Sequence, residues 1–135
     1  MSTEIRWRQR YANFEKALMQ LQEAVQMERY SKLEMQGVIQ CFEYTIELAW
    51  KTLQDIIHAK GFETISGPRP VIRKAFAEGY ITDDEGWLNM WDDRLTTSHT
   101  YDEDAAIQIV TNIKNSYFRL LNDLDKRLKT EPEVF

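Results

Sequence analysis

A single cysteine, Cys41, stands in the 135 residues, so an intramolecular disulfide is excluded. Its place in an apolar run points to a buried structural thiol. Glycine and proline are scarce, at five and three. That argues against a turn-rich β-sandwich and favours long helices joined by short connections. No run of about 18 apolar residues is present, so no membrane span is expected. The opening MSTEIRWRQRY lacks the continuous apolar stretch of a secretory signal. A reducing, cytoplasmic setting fits these absences. Positive charge is also short: 17 Lys and Arg against 22 Asp and Glu leave a net charge of −5. Bulk electrostatics will therefore not draw in nucleic acid, and DNA is not an expected partner. Any RNA or nucleotide contact must come from a local basic patch or through a partner.

Aromatics are plentiful, with four Trp, six Tyr and six Phe, and 43% of residues are hydrophobic. That is ample material for one core in a single domain spanning residues 1–135. Three segments carry helical periodicity. Trp7, Tyr11, Phe14, Leu18, Leu21 and Val25 follow spacings of four and three. Ile39, Phe42, Ile46, Ala49, Leu53 and Ile56 do the same, and Val38, Trp50 and Ile57 widen the stripe, so this helix should pack on two sides. Ala106, Ile109, Ile113, Leu120, Leu124 and Leu128 form the third, with Val110, Tyr117 and Leu121 beside them. Long amphipathic helices bury their faces against one another, which predicts an all-α bundle. Between the second and third, Ser66 to Pro70 reads as a turn, and Val71 to Glu78 as a short helix ended by Gly79. Thr82 with Glu85 predicts a capping box and a helix from about Asp83 to Leu95; Thr100 with Glu103 repeats the signature. Residues Thr130 to Phe135 are expected to fray.

The stretch most suited to chemistry is Arg94 to Tyr101, with an arginine, a histidine and a tyrosine within eight residues. In a continuous helix Arg94 and His99 would lie about 140° apart. Thr96, Thr97 and Ser98 are poor helix formers, so a break there lets His99 swing towards Arg94. Arg offers a charged planar fork suited to phosphate, and His moves a proton near neutral pH. Together they supply the minimum for RNA cleavage without a metal. The 2′-hydroxyl is the nucleophile, His99 the general base or acid, and Arg94 the stabiliser of the charged phosphorus. On the residues alone the plainer alternative, a capping cluster with the histidine on the last carbonyls, stays the favoured one.

Arg94, His99 and Tyr101 form an R-x4-H-x-Y pattern, and the chain resembles HEPN-type proteins of the HepT class and the nucleotidyltransferase substrate-binding proteins. Gly37 to Lys51, Pro68-Arg69, Ala75-Phe76, Trp87 and Ser98 to Tyr101 carry the resemblance, which runs from about Trp7 to Leu128. It implies an antiparallel four- to five-helix up-and-down bundle that pairs as a homodimer, with two motifs facing across a cleft. It also implies a minimal nucleotidyltransferase as partner, with ATP and Mg on that partner and no cofactor in this chain. In the toxin form of the family, Arg94 and His99 cleave RNA and the partner silences them by transferring AMP to Tyr101. In the alternative, the chain is a non-catalytic subunit presenting substrate or nucleotide to the transferase. Leu95 departs from the pattern, since many relatives carry a polar residue, often Asn, after the motif arginine.

Other features read more plainly. Asp102-Glu103-Asp104 has a D-x-D spacing but suits a helix N-terminus. Asp55 and His58 lack a third metal ligand and are expected to be solvated; no metal site is predicted. Arg69, Arg73 and Lys74 form a basic group that could hold phosphate, with an ordinary solvent face the simpler reading. Glu43, Glu47 and Lys51 are spaced for intrahelical salt bridges, and the glutamates could also orient Arg94. Trp50, Trp87 and Trp91 are expected in the core rather than as a base-stacking platform.

Overall fold

The computed structural model describes residues 3–99 and 102–131, with side chains described from Ile5 onward and His99 excepted. Among the described residues all regular structure is helical. The elements are α1 (Thr3–Val25), α2 (Lys32–Ala59), α3 (Pro68–Ala77), α4 (Asp84–Thr96), a 3-10 turn (Thr97–His99), α5 (Glu103–Asn112), a π-helical turn (Ile113–Tyr117) and α6 (Phe118–Lys129). No helix among them is long and apolar enough to cross a membrane.

Cross-helix pairs fix the directions. Arg10 meets Asp55 and Cys41 meets Ala17, so α1 and α2 run antiparallel. Lys32 meets Glu103 and Phe42 stacks on Tyr117, so α5 and α6 run with α2. Trp91 meets Trp50 and Thr97 meets Glu43, so α4 runs against α2. The result is an up-and-down antiparallel bundle of four rods, with α3 a short fifth helix between α2 and α4. α2 is the central rod: Phe42, Ile46, Ala49, Leu53 and Ile56 are fully buried, and it touches all the other helices but α6 closely. Trp7, Phe14 and Leu21 of α1, Trp87 and Met90 of α4, and Ile113, Leu121 and Leu124 complete the core. Burying a Leu, Ile or Phe side chain contributes about 1.5–3 kcal/mol, so the stripes read from the sequence are what drives assembly.

Helix ends differ from expectation in four places. α3 starts at Pro68, earlier than Val71, because proline fits the first helical position. It ends as expected at Gly79, whose φ of 82° few other residues adopt cheaply. α4 is capped by Asp83, not Thr82: the Asp83 carboxylate accepts from Gly86 N at 2.9 Å, and a Cβ at residue 86 would collide with it. The last long helix is capped by Asp102, which accepts from Asp104 N at 3.3 Å; Thr100 lies outside the described residues. A carboxylate is the better cap at a positive helix end, so an Asp one or two residues nearer the helix takes the place expected of the threonine. Ser31 and Glu34 do form a full capping box on α2. At the chain end, Thr130 caps α6 and Glu131 is buried by its ion pairs instead of fraying, while residues 132–135 lie outside the described residues.

Candidate functional site

The end of α4 lies along the middle of α2, and Arg94 reaches across that seam. Its Nη1 stands 3.1 Å from Glu43 Oε2, and its Nε 3.7 Å from Glu47 Oε1. Four-residue spacing stacks the two glutamates on one face of α2, one turn apart. Thr97 joins the group from the 3-10 turn. Its hydroxyl accepts from Arg94 Nη1 at 3.2 Å, and its one hydrogen goes to Glu43 Oε2 at 2.8 Å or to the Arg94 carbonyl at 2.7 Å. Glu47 is steadied in turn: Trp50 Nε1 donates to its Oε2 at 3.2 Å, and the Lys51 ammonium lies 3.7 Å from the same atom. Trp50 packs edge-on against Trp91, with ring centroids 6.1 Å apart.

This clamp leaves Arg94 incompletely engaged. Its Nε is shielded from solvent and makes no hydrogen bond, since 3.7 Å exceeds hydrogen-bonding reach. An unengaged buried donor costs about 1–3 kcal/mol, so a small shift that satisfies it is favourable. Among the described residues no hydrogen bond engages Nη2, and the side chain is 27% exposed. The guanidinium therefore keeps donors that no described residue engages.

The neighbouring turn is fixed from the other side. Asp93 accepts from the Tyr117 hydroxyl, and from Asn112 Nδ2 at 3.1 Å. Burial, then the Asp93 hydrogen bond, push the Tyr117 phenol well above its ordinary value, so it stays a donor. A π-helical turn ends at Tyr117, which stacks on Phe42 while its hydroxyl reaches Asp93. Asp92 holds Arg69 of α3 in an ion pair, two residues from Arg94, while Arg73 is exposed one turn further along α3.

His99 closes the 3-10 turn that begins at Thr97, so the α-helix does end before it. Its side chain, and the whole of Tyr101, lie outside the described residues. Beside the turn opens a cavity of about 620 Å3, walled by Leu33, Met35 and Gln36 of α2, Thr97 and Ser98, and Ala106 of α5. Thr97 thus faces both the cavity and Arg94. The volume falls in the range of small-molecule sites. Leu95, the departure from the family pattern, is 56% exposed.

The remaining candidates are structural. Asp55 is buried rather than solvated. It pairs with Arg10 Nε at 2.9 Å, and burial raises its carboxyl with Arg10 pulling it partly back. His58 is likewise held rather than free, tied to the Ile65 carbonyl at 2.7 Å through Nε2. The cross-helix and cross-loop partners that hold these two side chains are invisible in a helical wheel. Among the described residues no group of His, Cys, Asp and Glu is placed to hold a metal. Trp87 and Trp91 are core residues and Trp50 is half-buried on them. Cys41 is half-buried, and burial raises its thiol, which makes it a poor nucleophile. The sequence did not mark Thr97, Asp93, Asn112 or Tyr117 as site residues; the position of Asp93 beside Arg94 was the one available hint.

The fold is thus an all-helical bundle with an arginine held at a helix break between two carboxylates, next to a turn that walls a cavity. The chain belongs to the family described as nucleotidyltransferase substrate binding protein like, which matches residues 9–130. It is 32% identical over 81 residues to a Haemophilus influenzae protein named probable ribonuclease HepT, a match spanning 57% of this chain and 56% of that one. The chain thus covers little more than half of that relative's length. Its fold is similar to a Thermus thermophilus protein of known crystal structure, at 37% identity and a TM-score of 0.77, covering 86% of this chain and 98% of that one. It is also similar, at 23% identity and a TM-score of 0.69, to a Haemophilus influenzae protein described as having the fold of a substrate binding domain of a nucleotidyltransferase, over 94% and 99% of the two chains. This last likeness speaks for the fold alone.

Proposed function

We propose that this chain is a metal-independent endoribonuclease of toxin–antitoxin type, working as a homodimer and controlled by a minimal nucleotidyltransferase. The carrying observation is the guanidinium of Arg94, presented at the end of α4 with donors that no described residue engages, directly before the turn that ends in His99. The HepT relative, named a probable ribonuclease, supports the activity. The family description supports the partner.

The chemistry is transphosphorylation. The RNA 2′-oxygen attacks the adjacent phosphorus while His99 takes its proton or, as an imidazolium, gives one to the departing 5′-oxygen. The products are a 2′,3′-cyclic phosphate and a 5′-hydroxyl. Arg94 stabilises the extra charge on the pentacoordinate phosphorus through its Nη donors. The partner, carrying ATP and Mg, silences the site by AMP transfer: the Tyr101 oxygen bonds to the α-phosphorus, and pyrophosphate leaves. The added negative charge beside Arg94 then opposes RNA. Arg69 and Arg73 extend the phosphate-binding surface along α3.

Growth after induced expression tests this reading. Wild type is expected to arrest cells; Arg94→Ala, His99→Ala or co-expression of the transferase is expected to relieve the arrest. Equal growth of all strains with soluble protein present moves the assignment to a non-catalytic subunit that presents substrate or nucleotide to the transferase. The cavity beside Thr97 is the observation that favours that second reading.

A further inference from the structure

We infer that Glu43 and Glu47 are positioning residues for Arg94, and that their carboxylates lower its affinity for a phosphate while fixing its orientation for turnover. The inference rests on the ribonuclease reading for its catalytic half only. Two carboxylates of α2 flank one guanidinium of α4, at 3.1 and 3.7 Å. Glu43 reaches it both directly and through the Thr97 hydroxyl, so the arginine is held on two sides of the seam. Glu47 is pre-set by Trp50 and Lys51, which hold its other carboxylate oxygen. A carboxylate locked by its own partners is a rigid reference against which a flexible arginine is aimed.

The same arrangement has an electrostatic consequence. Arg94 and Lys51 carry two positive charges, and Glu43 and Glu47 two negative ones, so the cluster is formally neutral. An RNA phosphate meets a guanidinium already shared with a carboxylate, in a chain of net charge −5. It must displace part of the Glu43 contact, or draw on Nη2. The Nε that lacks a hydrogen bond offers the compensating step, because a shift of the guanidinium towards Glu47 would complete it. Orientation therefore comes at the expense of ground-state affinity, which is the division a catalyst favours.

The test is a double-mutant cycle on the full chain, using a 2′-O-methyl oligoribonucleotide as a non-cleavable binding probe and an unmodified one for turnover. Glu43→Gln is expected to bind the probe about three- to fivefold more tightly, the scale of a partly exposed ion pair. Its kcat should fall about tenfold or more, as misplaced catalytic groups do. In an Arg94→Ala background the tightening should vanish. Glu23→Gln, which removes one exposed charge from α1, should change neither quantity. Glu47→Gln repeats the pattern and serves if Glu43→Gln lowers the melting temperature. Tightening that persists without Arg94, or that Glu23→Gln reproduces, would show bulk charge alone and overturn the inference. Unchanged binding and kcat in both glutamine variants would overturn it as well. A wild type that binds but cuts nothing defeats the ribonuclease reading instead, and the binding cycle still decides whether the clamp competes with phosphate.

Discussion

Two of the charged clusters that bridge elements among the described residues are built in opposite ways. At the foot of α6, Glu131 is a buried carboxylate ringed by donors: Tyr80 Oη at 2.9 Å, Lys60 Nζ at 3.2 Å and Arg127 Nη1 at 2.8 Å. Burial pushes its carboxyl up, yet the Arg127, Tyr80 and Lys60 hydrogen bonds outweigh burial and hold it below its ordinary value. At the end of α4, Arg94 is a cation flanked by acids, with one donor unengaged and its partner Thr97 lining a cavity. The first cluster is closed, with its acid shielded to 3% exposure. The second is not. A carboxylate with all its donors in place rigidifies a junction, whereas a cation with an unengaged buried donor is where a further acceptor is gained. Charge at a helix junction is thus uninformative until its hydrogen bonds are counted.

The difference is sharpest when each hub is removed. Arg94→Ala and His99→Ala are each expected to lower RNA cleavage by about 100-fold or more, with melting unchanged within a degree or two. His99→Ala should also elute on sizing chromatography as wild type does; its unfolding would make the histidine structural. Glu131→Gln should do the reverse. It leaves two cations facing a neutral amide and is expected to cost about 3 kcal/mol in urea unfolding, with activity per folded molecule retained. Tyr117→Phe removes one of the two hydrogen bonds to Asp93 beside Arg94, and should cost about 1 kcal/mol.

The smallest expected effect is in pH. Burial raises Asp55, and burial with the Asp125 carboxylate raises Glu15. Because their folded values lie above the unfolded ones, their stabilising contribution is present at low pH and is lost as pH rises through the raised values. Glu131 acts oppositely, and its contribution is lost as pH falls through its lowered value. Stability should therefore rise slightly on mild acidification from neutral and drop once Glu131 takes a proton. Asp55→Asn should flatten the rise, measured as the urea midpoint against pH.

The helical stripes were legible because burial on one face imposes a 3.6-residue period that local sequence displays. Trp7, Phe14, Leu21, Phe42, Ile46 and Leu53 all stand in the core where the spacing put them. The break before His99 was legible too, in three consecutive hydroxyl-bearing residues. What sequence could not show were contacts between segments far apart in the chain. The Glu43–Thr97 hydrogen bond spans 54 residues, and the Tyr117–Asp93 contact spans 24. Capping was misplaced by one or two residues at Thr82 and Thr100 because an aspartate nearer each helix takes the first-turn amide. A face of α2 carrying Glu43 and Glu47 was visible, but not the choice between an intrahelical and a cross-helix partner. Glu47 has both.

Whether the incomplete cluster is functional and the closed one structural is decided most directly by pairing RNA cleavage with thermal melting for wild type, Arg94→Ala and Glu131→Gln. The expected result is a crossed pattern: Arg94→Ala melts like wild type and does not cleave, while Glu131→Gln melts lower and cleaves. An Arg94→Ala protein that cleaves as wild type does, or that melts as low as Glu131→Gln, would contradict it.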